Sequence, residues 1–83
     1  MYNLQISSKA SGEIKRLGRK YQKVIIEALH DLKENPFSGK PLTRELTGRF
    51  SYRVGAYRII YKVRRKDKII VILTAGHRLK VYD

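Results

Sequence analysis

The stretch from Arg49 to Lys62 concentrates the side chains with the clearest chemistry. It carries Arg49, Ser51, Arg53, Arg58 and Lys62, and no Asp or Glu. Arginine suits phosphate because its planar fork donates two parallel hydrogen bonds to one anion. A second group stands in the C-terminal string Gly76-His77-Arg78-Leu79-Lys80-Val81-Tyr82. There Arg78 adds a cation that stays protonated at any working pH, and His77 and Tyr82 add groups able to move a proton. A crowd of cations favours a tyrosinate and disfavours an imidazolium. Tyr82 is therefore the expected base and His77 a supporting group, with either residue type chemically able to take either role.

These side chains need strands to hold them. Gly55-Ala56 reads as a two-residue hairpin turn between strands at Arg49–Val54 and Tyr57–Arg64. Pairing across it sets Val54 opposite Tyr57, Arg53 opposite Arg58, Tyr52 opposite Ile59 and, further out, Arg49 opposite Lys62. Side chains alternate between the faces of a strand. One face then collects Phe50, Tyr52, Val54, Tyr57, Ile59 and Tyr61, and the other Arg49, Ser51, Arg53, Arg58, Ile60 and Lys62. Cations on a solvated sheet face are ordinary, but like charges directly opposite one another destabilise a sheet. The repeated pairs, the preference for Arg and the absence of acids point to an anion that lies between them. A third strand, Lys68 to Thr74, contains Ile69–Leu73, apolar at every position and so covered on both faces and central in the sheet. A tail leaving a central strand is expected to cross the cationic face and bring His77, Arg78 and Tyr82 beside Arg58.

Toward the N-terminus, Tyr2–Ile6 alternates and runs into a helix cap at Ser7-Ser8. Apolar residues then recur at Ala10, Ile14, Leu17, Tyr21, Val24, Ile25, Ala28, Leu29 and Leu32, the threes and fours of a helix face turned to a core. Gly18 divides the series into helices over 9–17 and 21–34, and Asn35-Pro36 ends the second. Glu27 and Asp31 read as a solvated outer face. The segment Pro36–Gly48, with two Pro and two Gly, reads as a connecting loop with a turn of helix near Thr43–Leu46. The order β-α-α-β-β-β predicts an α+β fold, two N-terminal helices packed on one face of a mostly antiparallel four-stranded sheet.

Composition sets the outer limits. A chain of 83 residues has room for a single domain, 1–83, and 42% hydrophobic with 31% charged residues describes a compact chain. Nineteen Lys plus Arg against seven Asp plus Glu give a net charge of +12, which calls for a polyanionic partner, either nucleic acid or an acidic protein. Residues 1–43 hold eight basic and four acidic residues (+4) and residues 44–83 eleven and three (+8), so the binding half is the C-terminal one. No apolar run approaches the roughly 20 residues of a membrane span, and Met1–Gln5 lacks the features of a signal peptide, so a cytoplasmic location is expected. The chain has no Cys and two isolated His, His30 and His77. No disulfide is possible, and no metal site or cofactor is expected.

The string Gly-His-Arg-x-x-Val-Tyr at 76–82, with Tyr52-Arg53-Val54-Gly55-Ala56-Tyr57-Arg58-Ile59-Ile60-Tyr61, resembles the RelE branch of the RelE/ParE toxin superfamily over essentially the whole chain. The resemblance implies the toxin of a toxin–antitoxin pair, a metal-independent endoribonuclease acting on mRNA in the ribosomal decoding site, with 16S rRNA around it. It implies a toxin that is monomeric when free and is neutralised by an acidic cognate antitoxin wrapped around it. Carried over by position, the family's catalytic arginines fall on Arg58 and Arg78 and its C-terminal tyrosine on Tyr82. Its basic second-strand positions fall on Arg49 and, less cleanly, on Ser51 and Arg53, and Lys62 and Lys80 complete the expected RNA contacts. Ser51 departs from the pattern, since better-known members can carry lysine there.

RNA brings its own nucleophile, the 2′-OH. A protein need only remove that proton, stabilise the phosphorane and protonate the leaving 5′-oxygen, which requires no pair of carboxylates. Arg58 and Arg78 suit charge stabilisation, and Tyr82 or His77 suits proton transfer. The competing expectation is a ParE-like toxin that binds DNA gyrase without catalysis, for which an acid–base tail has no use. A third is an RNA-binding module without activity.

Overall fold

The computed structural model describes residues 1–77. Strand β1 (Asn3–Ile6) leads into helices α1 (Ser8–Lys15) and α2 (Arg19–Glu34), followed by β2 (Lys40–Pro41), a 3-10 turn at Arg44–Leu46, and strands β3 (Arg49–Val54), β4 (Tyr57–Arg64) and β5 (Ile69–His77). The strands form one sheet in the order β1-β5-β4-β3-β2. Only β1 and β5 run parallel; the other neighbours are antiparallel. The α+β class and the mostly antiparallel sheet are as the sequence predicts.

The sheet has five strands and not four. The added one, β2, pairs Lys40 with Ser51 and Pro41 with Phe50. Two residues are too few to leave an alternation in the sequence, and Pro41, which has no N–H to donate, is admissible because β2 is an edge. β5 also continues past the expected Thr74 to His77, since its antiparallel partner β4 extends alongside it.

Local chemistry accounts for the helix boundaries. The Ser7 hydroxyl accepts from Ala10 N at 3.0 Å and donates to Leu73 O at 2.9 Å, so one side chain caps α1 and ties it to β5. Gly18 is the N-cap of α2, and the Gln22 side-chain amide donates to Lys15 O and Leu17 O, closing the carbonyl end of α1. The buried core joins Ala10, Ile25, Ala28, Leu29 and Leu32 of the helices to Ile59, Tyr61, Ile70, Ile72 and Ala75 of the sheet. Tyr21 and Val24, expected in that stripe, flank it and are exposed.

Two polar devices lie within this frame. Beyond Ile72, β1 no longer runs beside β5. There the Glu13 carboxylate of α1 takes over, accepting from Thr74 Oγ1 at 2.7 and 2.9 Å and from Ala75 N at 3.0 Å. The second device is Tyr61, fully buried on β4. Its hydroxyl donates to Pro36 O at 2.9 Å and accepts from Gly39 N at 3.0 Å. The loop passes so close that a Cβ at Gly39 would sit 2.5 Å from Tyr61 Oη and 3.0 Å from Ser51 O. Burial pushes the Tyr61 phenol above its ordinary 10.0, against the smaller opposing effect of the Gly39 hydrogen bond.

Tyr61→Phe leaves the Gly39 N–H and the Pro36 carbonyl without their partner and is expected to cost about 1–3 kcal/mol in denaturant unfolding. The phenol is held neutral in the folded chain. Its contribution is therefore complete below pH 10 and lost as the pH rises beyond it. Above pH 10 the melting temperature of the Phe variant is accordingly expected to fall less steeply than that of the parent.

Candidate nucleic-acid interface

The hairpin register is the predicted one at every position: Val54 faces Tyr57, Arg53 faces Arg58, Ser51 faces Ile60 and Arg49 faces Lys62. Gly55 opens the turn with φ 57°, a left-handed conformation that favours glycine. Because Phe50, Tyr52, Val54 and Tyr57 pack against the core under the helices, the alternation turns the cations to the opposite side of the sheet. Directly opposed residues hold their Cβ atoms roughly 4.5–5.5 Å apart, so the Arg53 and Arg58 stems start as close neighbours.

On this side lies a cavity of ≈ 380 Å³ lined by Lys40, Leu42, Ser51, Arg53 and Arg58. Next to it on the same face Ile60, 3% exposed, lies between Ser51 of β3 and Thr74 of β5. Arg58 is half-buried and Arg53 exposed. Among the described residues no acidic side chain lines the cavity. Among the described residues the one ion pair joins Arg64 to Asp67 at 2.8 Å, on the turn between β4 and β5. Such a surface can seat a phosphate between two guanidiniums, with an ammonium and a hydroxyl at its margin.

The structure brings together Ser51, Arg53 and Arg58 of the residues singled out from sequence. Arg49 and Lys62 face each other on the same side, two residues further along the hairpin and outside the cavity lining. His77 goes elsewhere. It pairs with Tyr57, its ring meets the Tyr57 ring edge-on at 6.0 Å, and Tyr57 in turn meets Tyr21 of α2 at 5.3 Å. The expectation that His77 sits beside Arg58 is thus corrected. β5 stays paired through His77, and strand alternation turns that ring to the helix side while Arg58 faces away. Arg78, Lys80 and Tyr82 lie outside the described residues.

Lys40 and Leu42 are the lining residues that sequence reasoning missed. Both belong to what reads as a loop. The signals available were indirect: a glycine before Lys40, and a buried tyrosine on β4 whose hydroxyl needs partners. Among the described residues no three of His, Asp or Glu gather as metal ligands, and no helix is long and apolar enough to cross a membrane.

Residues 4–82 match the family model for the ParE toxin of the type II toxin–antitoxin system parDE. The chain belongs to the RelE/ParE superfamily of type II toxins. It is similar to toxin RelG of Mycobacterium tuberculosis, 35% identical over 83 residues that cover 98% of this chain and 95% of that protein. It is also similar to a solved toxin–antitoxin complex, RelBE2 of Mycobacterium tuberculosis, with a TM-score of 0.86 and 35% identity over 93% of this chain and 98% of that one. The isolated E. coli RelE toxin shares the fold, with a TM-score of 0.80 at 21% identity over 99% of this chain and 92% of that one.

In this toxin Arg53 and Arg58 are like charges placed directly opposite one another on neighbouring strands. Arg53→Thr is expected to raise stability at low salt by roughly 0.2–1 kcal/mol, and the gain to shrink as salt screens the pair. Urea unfolding of the two proteins at low and high ionic strength measures it.

Proposed function

We propose that the toxin is a metal-independent endoribonuclease that cleaves mRNA on the ribosome. The observation that supports this best is the cavity opposite the helices, where Arg53 and Arg58 stand across from one another with Ser51 and Lys40 alongside. The 2′-oxygen attacks the adjacent phosphorus and the P–O5′ bond breaks, giving a 2′,3′-cyclic phosphate and a 5′-hydroxyl. Arg58 stabilises the phosphorane charge as a fixed cation in a half-buried setting, where it is worth more than in water. Arg78 is assigned to the same task and Tyr82 to removal of the 2′-proton by the family resemblance, and the contact of His77 with Tyr57 on the helix side supports Tyr82 over His77 as the base. Arg49, Arg53, Lys62 and Lys80 bind flanking phosphates.

The partners that fit are mRNA with its 16S rRNA surroundings and an acidic cognate antitoxin. The latter is supported by the +12 charge and by a relative solved as a toxin–antitoxin complex. The match to a ParE family model favours a second reading, a toxin that binds DNA gyrase without catalysis.

Primer extension on message in a translating extract separates the two. Position-specific breaks are expected with the parent toxin, and Arg58→Ala is expected to slow them on the order of 10²–10³-fold while message binding weakens far less. Intact message together with inhibited supercoiling would establish the gyrase reading instead.

A further inference from the structure

We infer that Lys40 is the general acid that protonates the leaving 5′-oxygen, an assignment that rests on the nuclease reading. Ser51 occupies a site position where its hydroxyl is a poor proton donor, and the residue directly across from it on β2 is Lys40. Directly opposed residues share a face of the sheet, so the ammonium is delivered to the place where β3 has only a hydroxyl.

The lining chemistry selects the same residue. Once the P–O5′ bond breaks, the 5′-oxygen carries the bonding pair and needs a proton, while the 2′-proton has gone to the base. Arg53 and Arg58 do not release protons in proteins, Leu42 has none to give, and Ser51 would have to become an alkoxide. Lys40 can transfer one proton from nitrogen to the 5′-oxygen and be left as a neutral amine that water reprotonates. His77, the other proton-transfer group among the residues predicted and described, is on the far side of the sheet with Tyr57.

The strand that carries Lys40 is held on both sides. Gly39 N donates to the buried Tyr61 hydroxyl at 3.0 Å, and Leu42 N donates to Arg49 O at 2.8 Å. Lys40 is exposed, yet its backbone is fixed by a glycine threaded against Ser51 O and a buried phenol. Edge strands also use lysine to discourage pairing with other chains. Lys40→Arg keeps that charge and removes only the transferable proton.

The test uses a ribosome-bound message whose cleavage position has been mapped with the parent toxin, prepared with either oxygen or sulfur as the bridging 5′ atom. A thiolate leaves without protonation, so the sulfur substrate has no use for an acid. Lys40→Arg is expected to cleave the oxygen substrate about 10²–10³-fold more slowly than the parent and the sulfur substrate within a few-fold of it, with message affinity unchanged. Parent-like cleavage of the oxygen substrate by Lys40→Arg, or an equal loss on both substrates, overturns the assignment and leaves the nuclease reading standing. A parent toxin that yields no cleavage position to map on ribosome-bound message overturns both together.

Discussion

The register of the β3–β4 hairpin is the constraint on which the other features rest. Side chains alternate with a period of two, so a slip of one residue would turn Tyr52, Ile59 and Tyr61 to solvent and drive Arg53 and Arg58 under the helices. Burying an unpaired guanidinium costs far more than any single contact in a chain of this size returns. Gly55, at φ 57°, sets the turn that fixes the register, and the apolar face it exposes to α1 and α2 enforces it. The cationic surface is therefore a by-product of the same pairing that builds the core, and neither can be changed without the other.

Tyr61 extends that constraint to the edge of the sheet. Its ring stacks with Phe50 at 5.4 Å within the core, while its hydroxyl reaches the loop between α2 and β2. A buried hydroxyl must find partners, and the partners here are main-chain groups of Pro36 and Gly39. The loop is drawn in until only glycine fits, and the next residue, Lys40, is laid against Ser51. One buried phenol thus couples core packing to the position of a cation on the opposite side.

How far the sequence disclosed this depends on the length of the pattern that each feature leaves. The β3 and β4 boundaries and their register were legible because alternation extends through both strands and a Gly-containing turn joins them. The central place of β5 was legible from its uninterrupted apolar run. β2 was not, because a two-residue strand has no period and one of its residues is Pro. Tyr21 and Val24 followed the helical spacing yet flank the buried stripe, and Tyr21 reaches the sheet only at its margin, against the half-buried Tyr57. The expected place of His77 was wrong for a related reason: the strand pattern stops at Thr74, whereas pairing with β4 carries the strand to His77 and decides the face.

Among the described residues, two of the carboxylates are committed away from the cationic surface. Glu13 is committed to Thr74 and Ala75, where it closes the open side of β5, and Asp67 is bound to Arg64 at a turn. Moving either to the cavity would relieve the Arg53–Arg58 opposition but would leave a strand edge unsatisfied or a turn unpinned. Folding is then driven from one side of the sheet, and the other side presents cations to which something outside the chain can bring negative charge. A ligand that supplies it recovers the repulsion already present in the fold in addition to its own hydrogen bonds. It stabilises the folded chain by an amount that grows with the logarithm of its concentration over its dissociation constant, whatever reaction follows.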